Sequence, residues 1–458
     1  MTSSPPKVGI VGGGVLGTSL ALRLAQAGAD VTVIERGPSL GGLAGTMDFN
    51  GHEVDRFYHV ITPADSRMIA MAEEVGLGDQ LRFNPVGAGF YANGEMHDFN
   101  GIGDLLRFSP LSPVARLRLG WFVAQCQLRS SYDKLEQIPL ETWLRRHCGR
   151  EVTERIWKPL LNSRFDGEPS GLPATYLWAR TRRMSGARGK GGAEEMGHIV
   201  GGHQRLIDAM VAKAEELGVK ARTEAPVRGL ATAEDGSVTG IELEGETLEF
   251  DLTIPTLQPP ALRFLLPDQH QGLLAPYPER WLGCVCVIIK VKRSLLPYYA
   301  TNIVEPTPIT SAIETSQVVG TEHTDGLHLV YIPKYCDPAA PEQSEDDESV
   351  YRRFTDYLEK LSPGFSRDEV VDWTVQRAKL VEPVHGLHSG SEPRVAPLWP
   401  GVKGLALASN AQIYPYLLNG DSVMGFAEEV AGEVSDRLGL AGTSVESAKK
   451  GLVGTLSS

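Results

Sequence analysis

The sequence predicts an α/β fold in which a nucleotide-type βαβ domain is interleaved with a second, α+β domain. Three observations predict it. A strand, glycine turn, helix and strand open the chain; a glycine-marked helix and strands return near residue 200; a strand and a glycine-started helix close it near residue 420. Two long stretches separate these blocks, the first helix-patterned and the second strand-rich. The chain has 458 residues, and its 50 glycines exceed ordinary usage without any G-x-y period. They must serve turns and close backbone approaches. With 44 Lys and Arg against 57 Asp and Glu, the net charge is −13, which argues against a nucleic-acid-binding protein.

The opening strand Lys7 to Val11 runs into Gly12-Gly-Gly14-Val15-Leu16-Gly17, then into a helical pattern from Thr18 to Gln26. A second strand, Asp30 to Ile34, ends in Glu35. Gly12 allows the tight turn, and Gly14 lets a pyrophosphate approach the N–H groups at the helix start. Gly17 lets helix and strand pack closely. Glu35 is placed to accept hydrogen bonds from ribose hydroxyls. With all parts in register, the unit is Rossmann-like and predicts dinucleotide binding.

Downstream comes Glu35-Arg36-Gly-Pro-Ser-Leu-Gly41-Gly42-Leu43-Ala44-Gly45-Thr46. This extended fingerprint resembles that of the two-dinucleotide-binding-domain flavoproteins, the amine oxidase and protoporphyrinogen oxidase-like superfamily. The resemblance implies an FAD-binding Rossmann-like domain of the glutathione-reductase type, an interleaved α+β substrate domain, and FAD as cofactor. Many members carry Arg after the glycine pair, where this chain has Leu43. Further blocks extend the resemblance. Gly201-Gly202 and Leu206 start a helix, and the following strand would offer the backbone of Val227 to adenine. Asn410 would lie near the ribityl phosphate. Gly420-Asp421-Ser422-Val423 would start a helix aimed at the flavin pyrimidine, with Asp421 or Ser422 as N-cap. Tyr416-Leu-Leu-Asn-Gly420 departs from the acidic-Arg-Gly segment of many relatives.

The expected division is residues 1–63, 197–280 and 396–440 for the FAD domain, 64–196 and 281–395 for the substrate domain, and a flexible tail at 441–458. Within the second domain, Trp281 to Val291 alternates as a strand, His328 to Pro333 is another, and Val350 to Leu361 reads as a helix. Cys284 and Cys286 would share one strand face as small buried residues. Five scattered cysteines without a C-x-x-C pair, and a start at Met1 that leads straight into a strand, suit a reducing cytoplasm. None is assigned to a metal.

His59, in Asp55-Arg-Phe-Tyr-His59, either faces flavin and substrate as a proton acceptor or is a hydrogen-bonded structural histidine. Arg180, Arg182 and Arg183 open a basic cluster running to Lys190, read either as a clamp on an anionic substrate group or as a solvated loop. Tyr299 and Tyr414 lie in blocks that carry the resemblance and are taken as substrate-facing. The expected activity is hydride transfer from a small or isoprenoid-like organic substrate to flavin N5. A second G-x-G-x-x-G unit is missing, so electrons would pass to oxygen, a quinone or a protein. A redox-neutral nucleotide-sugar mutase and a non-catalytic flavin-binding partner protein are the alternatives. Leu105 to Leu128, mixing arginines with Leu, Trp121 and Phe122, is either an ordinary amphipathic helix or a peripheral membrane contact.

Overall fold

The computed structural model describes residues 4–186, 194–388 and 394–440. The expected tail at 441–458, and Arg188 and Lys190 of the basic cluster, lie outside the described residues. Four parallel strands carry the glycine motif, in the order Leu252–Pro255, Lys7–Val11, Asp30–Ile34, Lys220–Arg222. Side chains alternate between the two faces of these strands. Val8, Ile10, Val31, Val33, Leu252 and Ile254 pack under the helices Val15–Gln26, His203–Glu216 and Gly420–Leu438. Val11 and Ile34 face the other way, toward the meander Gly229–Thr232, Val238–Glu242 and Thr247–Glu249. One sheet is thus assembled from segments more than two hundred residues apart, as the interleaved fold requires.

The nucleotide core continues past the boundary expected at residue 63. Helix Ser66–Glu74 sends Met68, Met71 and Ala72 into it. Asp421 ties this helix to the closing one, accepting from the N–H groups of Arg67 and Met68 at 2.7 and 3.2 Å.

A seven-stranded sheet forms the second domain, in the order Val370–Pro383, Trp281–Val291, His328–Cys336, Ser311–Glu314, Ala300–Ile303, Ala88–Ala92, Glu95–Asp98. Neighbours are antiparallel except Ala300–Ile303, which runs parallel to Ala88–Ala92. All eleven residues of Trp281–Val291 are buried, because both faces of this strand are covered. Cys284, Cys286 and Ile288 pack with Tyr299 and Tyr331 on one side. Val285, Val287 and Ile289 pack with Phe354 and Leu358 of helix Asp347–Leu361 on the other. That helix starts in the acidic stretch before Val350: Asp346 caps it, and Asp347 and Glu348 form a first turn favoured by the helix dipole.

Residues 64–196 are less helical than their pattern suggests. Strands Leu81–Pro85, Ala88–Ala92 and Glu95–Asp98 interrupt them, each too short to establish a period of two. The helices Pro113–Leu128, Leu140–His147 and Ala174–Gly186 surround a core centred on Phe122, Trp143 and Trp178. Among the described residues, no helix is long and apolar enough to cross a membrane.

Candidate functional site

The cradle at the start of the chain is made of backbone. Gly12 sits at φ +109°, and a Cβ on Gly17 would lie 1.9 Å from the Gly12 carbonyl oxygen, so no other residue fits there. A Cβ on Gly14 would meet nothing within 4 Å, and the space beside it is open. Gly14 is also the N-cap of Val15–Gln26, without a side-chain cap or an acidic residue in the first turn. The first intrahelical bond runs from Thr18 N–H to Gly14 C=O at 3.0 Å. Val15 N–H lies in the bridge that joins Gly14 to Gly41, and the N–H groups of Leu16 and Gly17 have no partner among the described residues, a site built for an anion. Gly41 donates its N–H to Gly13 C=O at 2.8 Å and docks the second glycine loop on the first. Gly41 and Gly42 both have positive φ, Leu43 is exposed and Ala44 half-buried.

Glu35 does more than the sequence suggests. Its two carboxylate oxygens accept from the N–H groups of Gly13 and Gly37, each at 2.8 Å, while spare lone pairs stay free for a ribose. Arg36 is exposed. Glu224 and Ala225 donate to the carbonyls of Gly37 and Glu35 at 2.8 and 2.9 Å, which brings Val227 beside this loop. Val227 lies outside any strand, contrary to expectation, and Pro226 before it has no N–H to give a ladder. The Val227 backbone has no partner among the described residues.

At the other end, Asn410 presents a buried Oδ1 without a hydrogen bond. The closing helix is capped by Asn419, which corrects the expectation for Asp421 or Ser422. Asn419 Oδ1 accepts from Ser422 N–H at 2.8 Å, and Ser422 Oγ donates to Leu417 C=O at 2.7 Å. Asp421 is drawn away to cap the neighbouring helix, and burial, with Asp65 nearby, raises its pKa. A Cβ on Gly420 would lie 2.5 Å from Met68 Sδ, so the helix start is pressed close to its neighbour. Val423 is buried beneath it, its N–H bonded to Asn419 C=O at 3.0 Å.

His59 lies where the hairpin Thr46–Phe49 and His52–Asp55 leaves the glycine loop. Its ring is 5.2 Å from that of His203, the first residue of His203–Glu216. Asp55 holds His203 by both the ring Nδ1, at 3.5 Å, and the backbone N–H, at 3.3 Å. Burial opposes the Asp55 charge, but His203 outweighs it and lowers the pKa. His59 Nδ1 is buried with no partner. Burial, then the proximity of His203, lowers the His59 pKa to about 4, so the imidazole is neutral at pH 7. Tyr331 donates to Asp55 C=O at 2.7 Å, and buried Tyr299 packs in the same cluster. Sequence reasoning missed Asp55 and His203 as partners; the signal was present as a histidine at a helix start after a glycine pair.

Helix Ala174–Gly186 distributes its arginines over different partners. Arg180 bonds the Tyr176 hydroxyl and lies 3.9 Å from Glu382. Arg182 donates to the carbonyls of Gln127 and Arg129 at 3.2 and 2.6 Å. Arg183 pairs with Asp65 at 3.0 Å. The expected clamp is therefore spread out: Arg182 is two residues from Arg180 and one from Arg183, spacings that do not share a helix face, and Arg183 and Arg180 turn to separate acids, Asp65 and Glu382. A residue not singled out from sequence, Arg164, ion-pairs with Glu382 and lies 3.3 Å over the Tyr335 ring, while the Tyr335 and Tyr58 hydroxyls are 3.0 Å apart. A cavity follows, lined by Phe165, Leu172, Tyr176, Tyr414 and Leu418, with Glu382 as its carboxylate and His385 as its imidazole. The Tyr414 hydroxyl bonds Thr175, and burial lowers the His385 pKa to about 3.

The uncapped helix start, the unpaired Asn410 amide and the free Val227 backbone fit the phosphate, polar and adenine parts of a dinucleotide. Together with the second glycine loop and the closing helix, they make this a flavoprotein by class. The chain belongs to the flavin containing amine oxidoreductase family, whose model matches residues 17–420. FAD is its cofactor.

A 15-cis-phytoene desaturase of Synechococcus elongatus is 24% identical over 296 residues, 59% of this chain and 61% of that protein. Protoporphyrinogen oxidase 1, chloroplastic, of Arabidopsis thaliana is 30% identical over 205 residues, 43% of this chain and 36% of that protein. These matches span less than two thirds of the curated relatives. Among solved structures, a protein assigned as a protoporphyrinogen oxidase from Exiguobacterium sp. 255-15 has a TM-score of 0.72 at 21% identity, covering 95% of this chain and 100% of that one. Reduced UDP-galactopyranose mutase has a TM-score of 0.73 at 15% identity, covering 99% of each chain. At these identities the likeness is one of fold.

Proposed function

We propose that the protein is an oxidase or desaturase that removes a hydride and a proton from a small or isoprenoid-like organic substrate. When bound, FAD supplies the hydride-accepting N5. Leu16 and Gly17, beside Val15, would hold the pyrophosphate by their N–H groups, with Gly12, Gly14, Gly41 and Gly42 allowing the approach. Glu35, flanked by Arg36, would hold the ribose, and Val227 the adenine. Leu43, Ala44 and Asn410 would line the ribityl chain, and Gly420, Asp421, Ser422 and Val423 the pyrimidine end.

The observation that carries the reading is the neutral, unpartnered His59 Nδ1 beside the Asp55–His203 pair. When a substrate C–H bond breaks with its electron pair, a neighbouring proton must leave for a double bond to form, and His59 would be the base that takes it. The cavity reaching Tyr414 is mostly apolar and aromatic, which suits a hydrocarbon-rich substrate. Tyr414 would bound it, and Tyr299 would act from the cluster it shares with Tyr331. The electrons leave afterwards to an external acceptor: oxygen, a quinone or a protein.

A nucleotide-sugar mutase would need Arg180, Arg182 and Arg183 together on one diphosphate, and each serves a different protein partner. Anaerobic titration of the yellow holoprotein with isoprenoid, amine and porphyrinogen compounds tests the proposal. Bleaching of the flavin, with one dehydrogenated product per flavin, is expected. Failure of every compound to bleach, alongside tight nucleotide-sugar binding, would replace this reading with the mutase. Failure of both would leave a flavin-binding partner protein.

A further inference from the structure

We propose that the outer face of helix Pro113–Leu128, with helix Ile102–Arg107 beside it, seats the protein on an anionic lipid surface. The longer helix is apolar on two sides. Ala115, Leu119, Phe122 and Cys126 face inward, where the Phe122 ring lies 4.8 Å from Trp143 and 5.9 Å from Trp157. Val114, Leu117, Trp121 and Leu128 follow one another at i, i+3, i+7 and i+14, which puts all four on one opposite stripe. Each is more than half exposed, as are Ile102 and Leu106 on the shorter helix. These six are half of the twelve large apolar side chains exposed among the described residues. Solvent-exposed apolar residues are normally scattered, and their concentration in one patch marks a contact surface.

Charge identifies the occupant. Residues 105–132 contain no Asp or Glu, in a chain that has 57, and Asp104 of the shorter helix is turned back to accept from Asn100 N–H at 2.9 Å. They contain four arginines. Arg116 turns inward to the carbonyls of Leu111 and Leu106. Arg107, Arg118 and Arg129 are exposed, and none forms an ion pair with a described residue. A second copy meeting this face by two-fold symmetry would bring the exposed arginines together, with Asp104 as the one acid in the two helices to set against them. An anionic bilayer surface complements both features: its headgroups meet the arginines, and its acyl boundary takes Leu117, Leu128 and the interfacial ring of Trp121. The helix is 16 residues long and would lie on the surface.

The patch sits close to the candidate site. Gln127 donates to Thr181 C=O at 3.2 Å on helix Ala174–Gly186, and that helix carries Tyr176 of the cavity. One helix layer separates the docking face from the chamber. The inference stands whichever substrate the chamber takes.

Full-length holoprotein sedimented with vesicles of phosphatidylglycerol in phosphatidylcholine, and of phosphatidylcholine alone, tests it. Binding to the anionic vesicles is expected to be about tenfold tighter or more, and to weaken with salt. The combined Leu117→Ser, Trp121→Ser and Leu128→Ser variant should partition about tenfold less, with unchanged flavin content. The combined Arg107→Gln, Arg118→Gln and Arg129→Gln variant should lose the preference for anionic vesicles. A wild-type protein that stays in the supernatant overturns the proposal, as does a serine variant that binds like wild type. So does a dimer, measured by light scattering, that the serine substitutions convert to monomer without any vesicle binding.

Discussion

The nucleotide cradle and the chamber beside Tyr414 meet in one protein but are built from different materials. In the cradle, the groups turned to a ligand are backbone N–H donors, and the side chains that matter are those left out: Gly12, Gly14, Gly17, Gly41. In the chamber, side chains hold one another across long stretches of chain. Arg164 reaches Glu382, Tyr58 reaches Tyr335, and Tyr414 reaches Thr175. A backbone site depends on a few steric permissions within thirty or so residues of sequence. A side-chain site depends on every partner being present, since burying a charge without its counterion is costly. The first kind is robust to most substitutions and broken by a methyl group; the second is broken by deletion of a partner.

The sharpest way to break this comparison is Gly17→Val. Its Cβ would stand 1.9 Å from the Gly12 carbonyl, so helix and strand must part, and folded holoprotein should be lost at a cost of ~3 kcal/mol or more. Gly14→Val is the control: its Cβ enters open space, so the chain should fold with native circular dichroism yet carry no flavin. Retention of FAD by both variants would show that the cradle does not work through close approach.

Next in size is Glu382→Ala, which leaves Arg164 buried without its carboxylate. Urea unfolding should record a loss of about 3–5 kcal/mol. Burial opposes ionisation of Glu382, but Arg164 and Arg180 outweigh it and hold its pKa below the usual carboxylate value. Its stabilising contribution is therefore present at neutral pH and lost as pH falls through that lowered pKa. A variant as stable as wild type would mean that the chamber is not held by this pair.

The smallest effect concerns His59. His59→Gln should keep its flavin and stability but slow substrate-driven flavin reduction by about 100-fold, read by anaerobic stopped flow. The wild-type rate should be flat near neutrality and fall as pH approaches about 4, where the imidazole gains its proton. A pH profile unchanged by the substitution would move the base elsewhere.

The same contrast explains what was legible in the sequence. The cradle was readable because its parts are local: glycine spacing, the strand before it and the acid after it occur in order along the chain. The closing helix was readable in place but not in detail. Asn419 and Asp421 are both good capping residues, and only the packing of Ser66–Glu74 against Gly420–Leu438 assigned Asn419 to one helix and Asp421 to the other. The strand Trp281–Val291 was readable in extent, whereas the burial of both its faces depended on Asp347–Leu361 and the Tyr299 cluster arriving from elsewhere. The short strands near Ala88 left no periodic signal, since their pairing with Ala300–Ile303 is what makes them strands.

By itself, the sequence determined a dinucleotide-binding α/β chain with a glycine cradle, an acidic residue closing the second strand and an interleaved second domain. Those follow from steric and hydrogen-bonding demands that adjacent residues impose on one another. The tertiary structure alone decided that Asp55 holds His203 beside His59, that Arg180, Arg182 and Arg183 part company, and that Arg164 and Glu382 stand together in the chamber. Such pairings join residues far apart in sequence. Their energies depend on burial and distance, neither of which exists until the chain has folded.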